Sequence, residues 1–403
     1  MPGPLHRNGP RPLLLHLMLA AMSSQRSVIG SMNWKTFIDG SMSLNGLWPA
    51  ISPALAELLG GVNQSTLPQA VLTAALEKDS ALLAGVAAYR RHPWTRDLAD
   101  PPEIWREGDT RLLDFGGTGT PLLFVPSLVN RASVLDLGPG QSMMRFFAGA
   151  GRRTLLLDWG WPGLVERGFG LADYIARLER AIAACAAPVI LVGYCMGGLL
   201  ALAAAQRLPD RIAALGLLAT PWDFHAGTEG RAEALARLLP LLEPAMALTG
   251  TLPIDGLQIL FTLLDPFGVG DKYRRFGRLD QTSPRAASFV AVEDWLNDGV
   301  PLAAPVAREV LGGWYGENRP VRGAWRIDDQ PMRPEELGLP SFIAIPARDR
   351  IVPPESAEPL ALAMPDATVI RPAAGHVGMV AGTGAARALW QPLLEWVRRL
   401  DKT

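Results

Sequence analysis

Short apolar runs alternate with helical patterns over residues 103–220, and this alternation restricts the fold more than any other feature. The runs PLLFV, TLLLD, PVILVGY and IAALGLL are five to seven residues long, and the amphipathic segment FGLADYIARLERAIAACA separates the second from the third. Strands that are apolar throughout are buried on both faces, and helical connections make neighbouring strands parallel. The sequence therefore predicts an α/β fold with a mostly parallel central sheet.

The alternation stops near Thr220 and resumes at LPSFIAIPARD. The intervening residues are rich in proline and tryptophan, with helical patterns and no obvious strand before VRGAWRID. Insertions of this kind typically cover an active site. We predict residues 67–220 and 336–403 as two parts of one core, which begins with a helix over Leu67–Trp94. Residues 221–335 are predicted as an inserted, mainly helical cap, and residues 1–66 as a poorly defined extension.

Composition excludes several classes of protein. The formal net charge of −1 gives no global attraction to nucleic acid or to an anionic membrane. The two cysteines, Cys185 and Cys195, form no zinc-type cluster and are too few for a disulfide framework, which fits a reducing cytoplasm.

The segment LLLHLMLAAM loosely resembles a signal peptide, but His16 interrupts it and no clear cleavage site follows. No apolar run reaches the roughly 20 residues of a transmembrane helix.

A glycine-framed cysteine stands between a predicted strand and a predicted helix. In PVILVGYCMGGLLALAAA, Cys195 lies between Gly193 and Gly197, which is the nucleophile-elbow pattern with cysteine in place of serine. The glycines let the strand and the helix approach without a Cβ clash, and the helix N-terminus favours a thiolate. The alternative is a buried structural cysteine. We interpret Cys185, on the apolar face of a helix, in that way.

A nucleophile at this turn needs an acid and a histidine, which follow it in that order. His376 in AAGHVG follows the last predicted strand, and Asp349 in PARDRIVPP follows the preceding strand, 27 residues earlier. These positions predict a triad of Cys195, His376 and Asp349. His225 in TPWDFHAG is a rival base, and we interpret Asp158, in LLLDWGWPG, as an orienting or turn residue.

Two backbone N–H groups are expected to bind the oxyanion of an acyl-transfer intermediate. The first belongs to Met196, which follows the nucleophile. The second comes from the loop PSLVNRASVLD, at Leu128 or, as the weaker alternative, Val129. Such donors stabilise the transition state of acyl transfer substantially.

A cysteine nucleophile points to a thioester substrate. Transfer from one thioester to another is nearly isoenergetic, so the acyl group stays activated for a hydroxyl acceptor where water is excluded. A cysteine elbow under an apolar cap therefore favours acyl transfer to a hydroxyl over ester hydrolysis. His376 would deprotonate Cys195 or the attacking alcohol, and Asp349 would orient His376.

Beyond the elbow, the chain resembles the polyhydroxyalkanoate synthases of the α/β-hydrolase superfamily, in particular their short, two-subunit type. GYCMGG is similar to that family's Gly-x-Cys-x-Gly-Gly box. PLLFVPSLVNRASVLDL, SMMRFF and LLLDWGWP resemble the segments before the box, and LATPWDF the segment after it. DPFGVGDKY, VEDWLNDGVPLA and WYGENRPVRGAWRI resemble the cap, and PARDRIVPP and AAGHVG the acid and base motifs. The resemblance covers about residues 103–400.

This resemblance implies an α/β-hydrolase fold and polymerisation of (R)-3-hydroxyacyl-CoA, commonly 3-hydroxybutyryl-CoA, with release of CoA. It implies that Cys195 carries the acyl chain, that His376 is the base and Asp349 its acid partner, and that no cofactor or metal is used. It further implies a growing polyester chain at a cytoplasmic granule, an active form that is a dimer or larger, and a separate partner subunit.

Two positions depart from the family pattern. Arg350 stands where a histidine usually follows the acid, and Met196 follows the nucleophile. We interpret Arg350 as a neutral surface change, with a CoA phosphate contact as the alternative. Further candidates for phosphate contacts are four arginines in nearby loops: Arg131, Arg274, Arg275 and Arg319.

Two other functions use the same sequence features. A thioesterase or polyester depolymerase would need the same triad, and the access of water, which a sequence does not measure, distinguishes it from a polymerase. A granule-associated scaffold with little activity is the second alternative. The intact triad argues against the scaffold, because a scaffold does not need all three residues.

Overall fold

Twelve strands are assigned over the residues that the computed structural model describes, which are 7, 9–32, 66–227, 230–264 and 268–401. In chain order they are β1 (Glu103–Glu107), β2 (Thr110–Asp114), β3 (Thr118–Val125), β4 (Arg152–Asp158), β5 (Val189–Tyr194), β6 (Ile212–Leu218), β7 (Thr251–Leu252), β8 (Leu302–Ala303), β9 (Arg326–Ile327), β10 (Gln330–Pro331), β11 (Ser341–Ala344) and β12 (Thr368–Ile370).

Helices connect these strands and cover them. The α-helices of the described residues are α1 (Leu13–Met32), α2 (Leu67–Arg91), α3 (Met143–Gly149), α4 (Leu171–Ala183), α5 (Met196–Arg207), α6 (Arg231–Ala236), α7 (Leu239–Thr249), α8 (Ile254–Leu264), α9 (Gly268–Gly277), α10 (Pro284–Asn297), α11 (Ala304–Arg308), α12 (Pro354–Ala363), α13 (His376–Ala381) and α14 (Gln391–Leu400). Short 3-10 turns lie at Ala132–Leu135, Glu166–Gly168, Pro209–Arg211 and Pro334–Glu336, and π-helical turns at Glu309–Gly316 and Ala386–Trp390.

Eight strands form one sheet in the order β1-β2-β4-β3-β5-β6-β11-β12. The six strands from β4 to β12 are parallel, and the antiparallel strands β1 and β2 lie at one edge. The predicted mostly parallel sheet is therefore confirmed. The register pairs Val125 with Gly193, and Leu218 with both Tyr194 and Ala344. The loops after β3, β5, β6 and β11 consequently meet at one edge, where parallel sheets carry their binding sites.

Both faces of the sheet are buried, as the apolar strands require. Along β5, Val189 and Leu191 join a core cluster with α4 and α5, whereas Ile190 and Val192 join a second cluster with α3 and α14. Successive residues point to opposite faces of a strand, so one short run supplies both cores. The result is a three-layer arrangement of helix, sheet and helix.

The insertion between β6 and β11 is mainly helical, and it also contains two very short ribbons. β7 pairs with β8, and β9 pairs with β10, both antiparallel. The expectation of no strand before VRGAWRID is wrong for β7 and β8. Each has only two residues, which is too short for an alternating pattern to reveal a strand.

The described chain divides into two compact units. Met1–Pro93 with Asp265–Ala286 forms unit 1, and Trp94–Leu264 with Ala287–Thr403 forms unit 2. Both units take two separate stretches of chain, as the predicted core does, and the predicted domain boundaries stay a prediction. The part of the predicted extension between residues 33 and 65 lies outside the described residues. Among the helices described, no helix has the length and apolar character needed to span a membrane.

Unit 1 is built on helix packing. The predicted helix from Leu67 is confirmed as α2, which ends before Pro93 because a residue that precedes proline disfavours helical geometry. Tyr89 on α2 and Tyr273 on α9 pack edge to face, with ring centroids 5.5 Å apart. A Cβ atom on Gly85 would lie 2.0 Å from the carbonyl oxygen of Tyr273. Glycine at this position therefore permits the close approach of α2 and α9.

Replacing Gly85 by alanine should destabilise unit 1 by about 1–3 kcal/mol, even though alanine favours a helix interior over glycine by about 1 kcal/mol. The reason is that α2 and α9 must move apart to admit the methyl group. Thermal unfolding followed by circular dichroism measures the effect. The matched control is Gly149→Ala, at an exposed helical glycine with open space around its Cβ position. A Gly85→Ala protein as stable as this control would contradict the packing argument.

Candidate active site

Cys195 occupies the sharp turn between β5 and α5. Its backbone has φ 56° and ψ −127°, in the positive-φ region that residues other than glycine rarely adopt. The Cys195 N–H donates to the carbonyl of Leu218 at 2.8 Å, and the Cys195 carbonyl accepts from Gly198 at 2.9 Å. The side chain is half-buried at the carboxyl edge of the sheet. This is the geometry of a nucleophile elbow, in which strained backbone presents the reactive atom.

The two glycines that flank Cys195, Gly193 and Gly197, have no room for a side chain. A Cβ atom on Gly193 would lie 2.4 Å from the Cα of Gly198. On Gly197 it would lie 2.2 Å from the carbonyl oxygen of Val125, at the end of β3. Larger residues would force α5 away from β5 and β3, and would move Cys195 with it.

His376, the first residue of α13, lies next to Asp349, which is in the loop after β11. The Nδ1 atom of His376 lies 2.6 Å from Asp349 Oδ2, and both side chains are buried. The other carboxylate oxygen of Asp349 accepts the N–H groups of Ile351 at 2.8 Å and Val352 at 3.0 Å. Two backbone donors therefore hold the carboxylate in place, and its second oxygen orients the imidazole ring.

The ring of His376 lies beside the elbow, because it packs against Tyr194, the residue before Cys195, with ring centroids 5.1 Å apart. Burial opposes a charge on His376, but negative charge on Cys195 and Asp349 outweighs it and raises the pKa of His376 to about 10. An imidazolium is therefore favoured next to the cysteine. The structure thus brings together the three residues that the sequence predicts as a triad.

The two predicted oxyanion donors belong to different segments at the carboxyl edge of the sheet. Met196 is the first residue of α5, so its N–H is one of those that a helix leaves without an intrahelical acceptor. Leu128 lies in the loop after β3, with a buried side chain. The alternative donor, the N–H of Val129, is engaged by Ser127 Oγ at 3.1 Å. This leaves Leu128 as the better candidate of the two.

The other predicted residues have local partners. The ring of His225 contacts the carbonyl of Tyr315 at 2.8 Å and Glu233 at 3.3 Å, and Asp158 caps its own turn by accepting from the Gly160 N–H at 3.2 Å.

The candidate phosphate-binding arginines of unit 2 form ion pairs, Arg131 with Asp298 and Arg319 with Glu317. Those of unit 1, Arg274 and Arg275, both contact Asp271. Exposed Arg350 lines a cavity of about 40 Å³.

An apolar cavity of about 110 Å³ opens beside Cys195. Its lining comes from the β3 loop, the elbow and the insertion: Ser127, Val129, Cys195, Met196, Pro221, Phe224, Leu235, Leu252, Leu257, Leu260, Phe261, Leu302, Ala307, Val310, Leu311, Trp314, Tyr315, Ile351 and Val352. A cavity of about 150 Å³ in another protein holds a benzene molecule, so this one has room for a small acyl group. The nucleophile therefore faces an apolar space.

Two tyrosines of the site were not found from the sequence. Tyr194 packs its ring against the His376 ring at 5.1 Å and donates its hydroxyl to the His376 carbonyl at 3.3 Å. Its position directly before Cys195 in the sequence could have indicated that Tyr194 belongs to the site. Tyr315 lines the cavity with Cys195, 120 residues away along the chain. Nothing in its local sequence distinguishes it from the neighbouring core aromatic residues.

Comparison with known proteins agrees with the fold. The family model described as "Alpha/beta hydrolase family" matches residues 122–388. Three similar proteins carry the name poly(3-hydroxyalkanoate) polymerase subunit PhaC. They come from Haloferax mediterranei (27% identity, 74% of this chain), Synechocystis sp. (28%, 69%) and Allochromatium vinosum (26%, 69%). The chain spans 64% of the Haloferax relative's length, less than two thirds, and 77% and 80% of the other two.

Iodoacetamide should alkylate Cys195 about tenfold faster than Cys185, or more, in the folded protein. Cys195 is half-buried beside an imidazole, whereas burial raises the pKa of the Cys185 thiol, which contacts the Ala181 carbonyl at 3.6 Å. Mass spectrometry of the two cysteine peptides measures both rates in one sample. Denatured protein is the control, in which the two rates should converge. Equal rates in the folded protein would contradict the difference in environment.

His376 should titrate with a pKa of about 10, against 6.5 for an ordinary histidine. The pKa of His376 is higher in the folded protein than in the unfolded chain, so the charged ring stabilises the fold. This contribution to the free energy of unfolding is complete below pH 6.5 and is lost as the pH rises toward 10. NMR of ¹³C-histidine-labelled protein measures the titration, and His376→Gln assigns the signal. Cys195→Ala should lower the midpoint, because it removes one of the negative groups. A wild-type midpoint near 6.5 would refute the assignment of charges.

Proposed function

This chain belongs to the alpha/beta hydrolase family, and on that premise we propose that it is a polyhydroxyalkanoate synthase. It polymerises (R)-3-hydroxyacyl-CoA and releases CoA through an acyl group carried on Cys195. The observation that carries the proposal is the nucleophile itself: a cysteine at the elbow, facing an apolar cavity. The name polymerase, which the three PhaC relatives share, supports the same reaction.

The first step transfers an acyl group from one sulfur to another. His376 already holds the proton of the Cys195 thiol as an imidazolium, and the thiolate Sγ attacks the carbonyl carbon of the CoA thioester. The oxyanion forms next to the N–H groups of Met196 and Leu128. The carbon–sulfur bond to CoA then breaks, and CoA leaves as a thiol with the proton from His376. One thioester replaces another, so the acyl group keeps its activation.

The second step uses that activation. His376 removes the proton from a hydroxyl group of a second hydroxyacyl unit, and the hydroxyl oxygen attacks the acyl carbon on Cys195. An ester bond forms, the bond to Sγ breaks, and Sγ regains a proton. Asp349 stabilises the charged imidazole in both steps. The apolar lining supports this outcome, because water that reached the acyl group would release a free acid instead.

The same proposal includes the location of the enzyme, its assembly and its partners. We infer that the enzyme works at the surface of a cytoplasmic polyester granule, as a dimer or larger assembly, with the growing chain as its second substrate. The word subunit in the names of the relatives supports a partner chain. The proposed steps use no metal or cofactor.

Purified protein should release CoA from (R)-3-hydroxybutyryl-CoA and form insoluble polymer. Cys195→Ala should lower the rate of CoA release by a factor on the order of 10³ or more, because the covalent step is lost. Chromatography of CoA, polymer and free acid from one reaction measures all three products. Cys185→Ser is the matched control and should keep the wild-type rate.

Other outcomes distinguish the alternatives. CoA release with only free 3-hydroxybutyrate would refute the polymerase and leave a thioesterase. Absence of CoA release, both from the protein alone and with a partner subunit from a two-subunit relative, would refute an activity on this thioester and favour a scaffold.

A further inference from the structure

The cavity beside Cys195 offers few groups that can bind a polar substrate atom. Among its lining residues, hydroxyl or thiol groups belong to Ser127, Cys195 and Tyr315. Ser127 Oγ already accepts the N–H of Val129 at 3.1 Å. Cys195 is the nucleophile of the proposed reaction. Among the lining residues of the insertion, Tyr315 therefore supplies the hydroxyl group, next to the indole N–H of Trp314.

The backbone at Tyr315 has an unusual form. Tyr315 lies in the π-helical turn Glu309–Gly316, and Val310, Leu311 and Trp314 from the same turn also line the cavity. Such turns are rare and occur frequently at functional sites. The wider turn lets several residues of one short segment face the same cavity.

Neighbouring residues hold this tyrosine in place from two sides. The carbonyl oxygen of Tyr315 contacts the ring of His225 at 2.8 Å, and its aromatic ring packs on Phe224 with centroids 5.1 Å apart. Asp223 braces the segment, because its Oδ1 atom accepts both the backbone N–H of His225 and the side-chain amide of Asn318. His225, a rival base by sequence, thus supports the position of Tyr315.

The phenol of Tyr315 stays a hydrogen-bond donor. Burial raises the pKa of Tyr315, and negative charge on Cys195 raises it further. Tyr315 and Cys195 line the same cavity, which places the two side chains near each other. An O–H group is therefore held beside the nucleophile at any pH at which the protein works.

A 3-hydroxyacyl thioester brings two oxygen atoms into the site. In the proposed reaction, the carbonyl oxygen accepts hydrogen bonds from the N–H groups of Met196 and Leu128. The 3-hydroxyl, two carbons further along, enters the apolar cavity, where a hydroxyl without a partner is strongly disfavoured. A side chain that binds this hydroxyl would favour hydroxyacyl groups over simple acyl groups.

We propose that Tyr315 hydrogen-bonds the 3-hydroxyl of the acyl group on Cys195 and makes the site selective for 3-hydroxyacyl over unsubstituted acyl thioesters. This specificity role rests on the proposed function. Tyr315 binds the substrate and takes no part in bond making or breaking. Its contact is made at acylation, when the acyl chain first enters the cavity.

The test compares two CoA thioesters that differ only in the 3-hydroxyl, (R)-3-hydroxybutyryl-CoA and butyryl-CoA. Single-turnover CoA release and the mass of acylated protein give the acylation rate for each. In Tyr315→Phe, the ratio of the two rates should fall roughly 5- to 150-fold, through loss of rate with the hydroxy substrate alone. Phenylalanine keeps the packing on Phe224 and the carbonyl that contacts His225, so the fold is retained.

Tyr174→Phe is the matched control. It removes a phenol hydroxyl from another buried tyrosine of unit 2, which packs on Trp159 with ring centroids 5.5 Å apart and is not among the cavity residues. This variant should keep the wild-type ratio. An unchanged ratio in Tyr315→Phe, or an equal loss with both substrates, would overturn the specificity role while leaving the proposed function intact. A wild-type protein that neither thioester acylates would overturn both.

Discussion

The strained turn at Cys195 is the constraint on which the rest of the site depends. A cysteine at φ 56° is unfavourable by itself, and it persists only where the surroundings hold it. Here α5 lies against the sheet so closely that a Cβ on Gly197 would meet the Val125 carbonyl, and one on Gly198 would meet the Thr220 side chain. Core packing thus aims the sulfur out of the carboxyl edge of the sheet.

Around this turn, charge and apolar surface are kept apart. His376 and Asp349 are buried and satisfied by one another and by backbone donors, whereas the cavity beside Cys195 does not include them and is lined by leucine and aromatic side chains. The polar side favours an imidazolium beside the sulfur, and the apolar side disfavours water. This division suits an acyl group that is held as a thioester and must be transferred to a hydroxyl before water hydrolyses the thioester. A serine on the same scaffold would form an oxygen ester and lose that activation.

The insertion contributes more than a cover. Its π-helical turn brings Tyr315 to the cavity, and the contacts of His225, Asp223 and Asn318 all stabilise that turn. The family relationship accounts for the sheet and the elbow. The selectivity that we infer for the acyl group depends on this inserted segment, whose short ribbons β7 and β8 had no signal in the sequence.

The sequence by itself determined the buried parallel strands, the elbow and the identity of the nucleophile, because each depends on local information: apolar runs, helical periodicity and glycines at fixed offsets from Cys195. It also indicated Asp349 and His376 by their positions after strands. Only the tertiary structure decided which histidine pairs with Asp349, how Asp349 is held, and that Tyr315 shares a cavity with Cys195. These features are contacts between residues far apart in the chain, and they depend on how the insertion packs. Local pattern carries no information about that packing.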